Sequence, residues 1–159
     1  QDGLTHFLDT AHWWLGPIDR LTGDMAHLAL DGVEVEDTVN VLARHGEIMG
    51  AYHFNQHQHS NETTFTLVCE SATVRLDFCT NRLRVMKQPD GEWIDESNDE
   101  LQRDEAFTNQ ANAFLDALEG RPSGSCTLDE ARHTLDCQLA LLEETKRTSR
   151  WREINHCST

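Results

Sequence analysis

The chain has 159 residues, the length of one ordinary domain, and it carries 28 acidic against 13 basic side chains, a formal net charge of -15. This charge would repel a nucleic-acid backbone or an anionic bilayer, and the longest apolar run is too short to cross a membrane. The composition therefore excludes nucleic acid and membrane as partners and predicts a soluble, acidic globular domain.

The first predicted element is an amphipathic helix that begins at Leu4 and ends at Leu15, because apolar residues recur at helical spacing and Gly16 and Pro17 follow. Five or six strands come next, since several runs are rich in β-branched and aromatic residues and are separated by turn signals. These runs are IDRLTGDMAHLAL, TVNVLARHGEIMGAYHFNQ, TTFTLVCE, ATVRLDF and RLRVMK. Successive strands form hairpins, so the predicted sheet is mainly antiparallel.

After the segment PDGEWIDESNDE, predicted to be an acidic loop, the apolar spacing becomes helical. One helix includes Phe107 and Leu118 and stops at Gly120, and a second of about five turns follows Thr127, which forms a predicted capping box with Glu130. The run WREI is predicted as an added strand. The fold class is therefore α+β, an open-faced, mainly antiparallel β-sheet with helices packed on one face.

Five cysteines lie apart in the sequence without a CxxC pair: Cys69, Cys79, Cys126, Cys137 and Cys157. An odd number cannot pair completely within one chain, which favours reduced thiols and a cytoplasmic protein. No leader-peptide pattern is visible, but the first residue is Gln and not Met, so the start of the protein is not in view.

The first helix carries a polar stripe. At about 100° per residue, four residues share one narrow face opposite the apolar one: Asp2, His6, Asp9 and Trp13. Asp2 and His6 are one turn apart, so the carboxylate can orient the imidazole, and such a pair suits proton transfer near neutral pH. The alternative is that Asp2 caps the helix and His6 is solvated, and spacing alone does not decide. Trp14 is predicted to pack inward and Trp13 to meet a substrate or another domain.

A histidine-rich stretch, HFNQHQH, lies at the end of a predicted strand. His53 and His57 would be about 13 Å apart along a strand, too far to bind one ion, so only His57 and His59 could share a metal. The pattern supplies no third ligand. The sequence therefore predicts no metal site and favours polar residues on the sheet surface.

The segment DGLTHFLDTAHWWLG resembles the start of the second domain of the Gfo/Idh/MocA oxidoreductases, the family of glucose-fructose oxidoreductase and inositol dehydrogenase. The shared pattern is Asp, three residues, His, two residues, Asp, and a Trp-Leu-Gly helix end. The resemblance continues through the predicted central strands, the two helices with the EGRP link, and WREI. The chain departs from the pattern in one respect: many members have Gly two residues before the His, whereas here Gly3 follows Asp2 and Thr5 precedes His6.

The resemblance implies a role for each matching residue. His6 would be the catalytic base that takes a hydroxyl proton as hydride leaves the same carbon, and Asp2 would orient His6 or hold a substrate hydroxyl. The substrate-binding residues that it implies are Asp2, Asp9, Trp13, Asn55 and His57.

The resemblance also implies a partner domain, an N-terminal Rossmann unit that binds NAD or NADP in the full-length protein. This chain has no GxGxxG motif, no βαβ unit and no Glu-Lys-Pro motif with the family's catalytic lysine, so no cofactor-binding residue is expected in it. Residues 1–159 would then form a single C-terminal substrate-binding and oligomerisation domain, inactive alone. The implied activity is NAD(P)-dependent oxidation or reduction of a sugar, polyol or related hydroxyl compound.

Two other functions stay open. A sheet surface without helices invites pairing with a second copy, so the domain could serve self-association without catalysis. The resemblance makes the two compatible and predicts a homo-oligomer formed through the sheet. A few relatives use NAD to cleave glycosidic bonds, so a domain of an NAD-dependent glycosidase is the other alternative.

Overall fold

The computed structural model describes residues 2–97 and 103–145, which form three helices and seven strands. In chain order they are α1 (Asp2–Leu15), β1 (Arg20–Ala26), β2 (Thr38–His45), β3 (Ile48–Asn55), β4 (Thr64–Val68), β5 (Thr73–Asp77), β6 (Arg82–Met86), β7 (Ile94–Ser97), α2 (Arg103–Leu118) and α3 (Leu128–Thr145). Every strand pair among these residues is antiparallel, which confirms the predicted α+β class. The predicted strand WREI lies outside the described residues.

The strands form two sheets where the sequence predicted one. The first sheet has the order β1-β2-β3 and the second the order β4-β5-β6-β7. The division falls at residues 56–63, a polar run with little tendency to continue a strand. Two compact units follow this division, one with the described residues 2–57 and 126–145 and the other with residues 58–97 and 103–125.

In the first unit, α1 and α3 cover one face of the three-stranded sheet. Strand β2 shows the alternation that this packing requires, since Val39, Val41 and Ala43 are buried while Leu42 between them is exposed. The core residues of the unit are Leu4, Leu8, Ile18, Val39, Val41, Ala43, Cys137 and Leu141. Leu8 on α1 is fully buried, and burial of such a side chain contributes about 1.5–3 kcal/mol.

The ends of α1 and α3 follow from their sequences. Gly16 ends α1 with a φ of 84°, a left-handed conformation that favours glycine. At the start of α3, the backbone N–H of Glu130 donates to Thr127 Oγ1 at 3.2 Å, and the backbone N–H of Thr127 donates to Glu130 Oε2 at 2.7 Å. The predicted capping box is confirmed.

In the second unit, β7 corrects the prediction of an acidic loop. The strand pairs with β6, and ion pairs link it to Arg82 on β6 and to Lys87, the residue just after β6. Asp95 accepts from Arg82 and Glu96 accepts from Lys87, so the acids that suggested a loop are the cross-strand partners of basic residues.

Candidate functional site

Helix α1 is held on two of its sides. Its apolar side packs on the three-stranded sheet, and the ring of Phe7 lies 5.8 Å from that of Phe54 on β3. A second side faces α3, where Thr5 accepts a hydrogen bond from Gln138. These contacts fix the helix and leave a third side, which we call the free side.

The free side carries His6 and Trp13, as the polar stripe predicted. His6 is exposed, and its ring makes no hydrogen bond to any residue that the structure describes. Trp13 is 76% exposed, whereas Trp14 is partly buried, as predicted for the two tryptophans. The backbone places Asp2 one turn before His6, but the Asp2 side chain lies outside the described part. An imidazole and an indole on a fixed helix are thus open to a ligand.

Asp9 belongs to the side that faces α3. Its Oδ1 accepts a hydrogen bond from the buried Thr134 hydroxyl at 3.2 Å. A structural partner on α3 therefore holds this carboxylate, and its Oδ2 has no hydrogen-bond partner among the described residues.

Asn55 and His57 come together in a polar cluster with Thr38. Asn55 Oδ1 accepts from the backbone N–H of His57 at 2.9 Å, and His57 Nε2 lies 3.3 Å from both Asn55 Nδ2 and Thr38 Oγ1. Nε2 is therefore engaged within the cluster. The other ring nitrogen, Nδ1, has no hydrogen-bond partner among the described residues.

The buried carboxylate of Asp37, which sequence reasoning missed, anchors this cluster. Asp37 is 1% exposed, and it accepts hydrogen bonds from the Thr38 hydroxyl and from the backbone N–H groups of Leu28, Ala29 and Leu30. Burial alone would raise the pKa of this carboxyl, but those hydrogen bonds hold it well below its usual range. An acid just before a strand and after a turn is the sequence signal that points to this role.

The structure does not bring the Asn55–His57 cluster together with His6. Phe54 points to the face of the sheet that α1 covers, so strand alternation directs Asn55 to the opposite face. The predicted substrate-binding residues therefore occupy two separate surfaces of the first unit.

Two histidines without a sequence pattern meet between α1 and α3. The rings of His12 and His133 lie 4.7 Å apart, and His133 Nε2 accepts the backbone N–H of Ile18 at 2.9 Å. Burial lowers the pKa of His133, and the nearby His12 lowers it further. Beside them, burial raises the pKa of the Cys137 thiol to about 11, so this cysteine is an inert core residue.

His45 is also structural. It is buried, its Nδ1–H donates to the Gly16 carbonyl at 2.7 Å, and its Nε2 accepts from the Tyr52 hydroxyl at 2.7 Å. The carbonyl accepts only, which fixes this assignment of the ring proton. His45 therefore ties the end of α1 to the sheet.

Residues 1–75 match the family model described as the GFO/IDH/MocA C-terminal domain. This segment belongs to the Gfo/Idh/MocA family. It contains α1 with its free side, the three-stranded sheet and the polar cluster around Thr38, and so every site residue that the sequence predicted.

Solved structures extend the match of fold to most of the chain. The WlbA dehydrogenase from Bordetella pertussis, in complex with NADH and UDP-GlcNAcA, has a TM-score of 0.68 at 21% identity over 91% of this chain and 42% of its own. The UDP-N-acetylglucosamine 3-dehydrogenase GnnA from Acidithiobacillus ferrooxidans has a TM-score of 0.72 at 14% identity over 89% of this chain and 45% of its own.

A biliverdin reductase from Synechocystis, in complex with biliverdin and NADP+, also has a TM-score of 0.72 at 14% identity, over 91% of this chain and 45% of its own. At these identities the likeness shows the fold, and the fold is compatible with chemically different substrates. The chain spans less than half the length of each of these three proteins. A search of curated protein sequences finds no match.

All strand pairs among the described residues are antiparallel, so these residues include no βαβ unit with a Gly-rich turn that would hold a pyrophosphate. No group of three or more His, Cys, Asp or Glu side chains in residues 2–97 and 103–145 is placed to hold a metal ion. None of the helices described is long and apolar enough to span a membrane.

Proposed function

We propose that the chain is the C-terminal substrate-binding and catalytic domain of an NAD(P)-dependent oxidoreductase that acts on a sugar, a polyol or a related hydroxyl compound. The single observation that carries the proposal is the free side of α1, where a rigidly held helix of the Gfo/Idh/MocA segment presents an exposed imidazole. NADH and a UDP sugar bound in the WlbA structure support the class of cofactor and substrate.

His6 is the proposed general base. An alcohol carbon loses hydride readily only if its hydroxyl proton is removed at the same time, and a positioned base contributes about 10²- to 10⁴-fold to such a step. His6 takes this proton, and it returns the proton when the reaction runs in reverse. The packing of α1 against the sheet and α3 fixes the helix that carries His6, so that less ordering is needed when substrate binds.

Three more residues of α1 have proposed roles beside His6. Asp2 orients the imidazole or holds a substrate hydroxyl, because it lies one turn away on the same stripe. Trp13 offers its exposed ring as a stacking surface for the substrate or the adjoining domain. Asp9 contacts a substrate hydroxyl through Oδ2.

Asn55 and His57 are proposed to contact substrate through the Asn55 amide and His57 Nδ1. Asn55 and His57 lie on the sheet face opposite α1. They can therefore contact a substrate held at His6 only if they belong to a second copy of the chain. Their contribution therefore depends on assembly.

NAD or NADP supplies the hydride chemistry when bound, and we propose that a Rossmann domain outside this chain holds it. The proposed role of this chain is to bind the hydroxyl compound, exclude water and move the proton. The isolated chain is accordingly expected to be inactive and to bind no NAD(H).

Self-association is the second proposed function, favoured by the open face of the three-stranded sheet. Leu42 on β2 is 62% exposed and Met49 on β3 is 73% exposed. Both residues are paired within the sheet, so their large apolar side chains are exposed on its open face. A second copy packed on this face would bury them. Sedimentation of the 18.1 kDa chain should give a mass above that of the monomer, and Leu42→Lys should return it to the monomer.

The test of the enzymatic proposal uses the full-length protein. NADH or NADPH formation is followed by absorbance with a panel of UDP sugars, free sugars and inositols, and oxidation of at least one of them is expected. The isolated chain serves as the matched control and should neither turn over these compounds nor change the fluorescence of NADH. Full-length protein that oxidises none of them, or tight NADH binding by the isolated chain, would contradict the proposal.

A further inference from the structure

The four-stranded sheet of the second unit carries two facing arginines. Arg75 on β5 and Arg84 on β6 are direct cross-strand partners, so their side chains leave the same face of the sheet. Trp93, just before β7, lies against both: its ring centroid is 5.6 Å from the Cζ of Arg75 and 5.5 Å from the Cζ of Arg84. We call these three residues the arginine–tryptophan cluster.

The carboxylates beside the cluster offset its positive charge only in part. Asp95 is the cross-strand partner of Arg84, and the charge of Arg84 helps to lower the pKa of both Asp95 and Asp77. Asp95 receives both of its hydrogen bonds from Arg82, at 2.5 and 2.8 Å. Asp77 Oδ1 is occupied by the backbone N–H groups of the following turn. Neither Arg75 nor Arg84 forms an ion pair with a described residue. Like charges directly opposite in a sheet are unfavourable, so the Arg75–Arg84 pair still favours an anion between the two guanidiniums.

Arg84 also has a hydrogen-bond donor without a partner among the described residues. This donor is Nε, which is buried. A buried guanidinium N–H without an acceptor is costly, and in native proteins such a group usually meets a water or an ion. Among the described residues, the cluster therefore lacks one hydrogen-bond acceptor.

We propose that the arginine–tryptophan cluster binds a phosphate dianion, as inorganic phosphate or as the phosphate group of a phosphomonoester. Two guanidiniums match two negative charges, and each offers several N–H donors to phosphate oxygens. Thr66 adds a donor, because its Oγ1 accepts from Arg75 Nε at 3.4 Å and its hydroxyl proton is free to point at the anion. Trp93 holds the guanidiniums in place by cation–π contact.

The net charge of the protein opposes non-specific binding of anions. At -15 the chain repels anions as a whole, so general electrostatic attraction cannot produce saturable phosphate binding. Binding must come from local donors. The proposal does not depend on the proposed dehydrogenase activity, since every residue in it lies in the second unit, outside α1 and the three-stranded sheet.

Calorimetric titration of the full chain tests the proposal, at about pH 8, where a phosphomonoester is a dianion. The probes are inorganic phosphate and phenyl phosphate, with acetate as a monoanion. Wild-type protein should bind inorganic phosphate about tenfold or more tightly than acetate, and tighter binding of phenyl phosphate would identify the phosphomonoester as the preferred form. Arg75→Gln and Arg84→Gln should each weaken phosphate binding by about tenfold or more.

Lys87→Gln is the matched control, because it removes one positive charge directly after β6, from a lysine already paired with Glu96. It should leave phosphate binding within about twofold of wild type. Arg75 is exposed, so its substitution should not unfold the sheet, and it decides the matter if Arg84→Gln folds poorly. Phosphate that binds no more tightly than acetate, or equally well to Arg75→Gln and Lys87→Gln, would overturn the proposal.

Discussion

Removal of the Asp37 carboxylate should destabilise the first unit strongly. Asp37 is 1% exposed and accepts from three successive backbone N–H groups, those of Leu28, Ala29 and Leu30, and from the Thr38 hydroxyl. Hydrogen bonds to a charged group contribute about 1.5–3 kcal/mol each and do not add fully. Asp37→Ala should therefore lower the free energy of unfolding by about 3–5 kcal/mol.

The conservative variant separates the charge of Asp37 from its shape. Asp37→Asn can keep an oxygen at the Oδ2 position, where it accepts the three backbone N–H groups, and can donate from its nitrogen to Thr38 Oγ1. It should cost about half as much as Asp37→Ala. Asp31→Ala is the control, an exposed acid in the same loop that should change stability by less than about 0.5 kcal/mol.

Urea denaturation followed by circular dichroism measures these differences in the free energy of unfolding. In thermal melts, the melting temperature should fall by about 2–4 °C for each kcal/mol lost. The pKa of Asp37 is lowered in the folded protein, so its contribution is present above the ordinary value of 3.8 and is lost as the pH falls below it. The advantage of wild type over Asp37→Asn should shrink in that range. An Asp37→Ala variant as stable as Asp31→Ala would refute this reasoning.

Three further predictions concern the helices. Thr127→Ala removes the capping box of α3 and should cost about 1 kcal/mol in urea denaturation, whereas the exposed Thr108→Ala within α2 should cost nothing. The pKa of His133 is lowered, so its contribution to the stability of the fold is complete above about pH 6.5 and is lost as the pH falls. His133→Gln keeps an acceptor for the Ile18 N–H, so the free energy of unfolding of this variant should fall less than that of wild type between about pH 7 and 5. Gly3→Ala would place Cβ 2.4 Å from the Phe54 ring and should lower the free energy of unfolding by about 1 kcal/mol. In a protein that also carries Phe54→Leu, the same substitution should not lower it.

Much of the helical structure could be predicted because its signals are local. The apolar period and Gly16 gave the end of α1, and Thr127 with Glu130 gave the start of α3. Strand β7 was missed because its acids are balanced across the sheet, by Arg82 and Lys87, and not within the strand. The split into two sheets depends on which strands pair with one another, and the alternation of side chains along a single strand does not identify its neighbours.

The candidate site was predictable only in part for the same reason. The exposure of His6 and Trp13 follows from their angle on the helix relative to the apolar side. The turn of Asp9 toward α3 depends on Thr134, which lies 125 residues away in the sequence. The contact of His12 with His133 depends equally on α3, so no spacing within α1 could reveal it.

The most direct test of the central claim is the rate of hydride transfer in the full-length protein with His6→Ala, using the hydroxyl compound that the panel identifies. Single-turnover rates should fall by about 10²- to 10⁴-fold, while the dissociation constant of NAD(P)H stays within about twofold of wild type. His59→Ala, which removes another exposed histidine, should leave both values unchanged. A His6→Ala enzyme that transfers hydride as fast as His59→Ala would contradict the account.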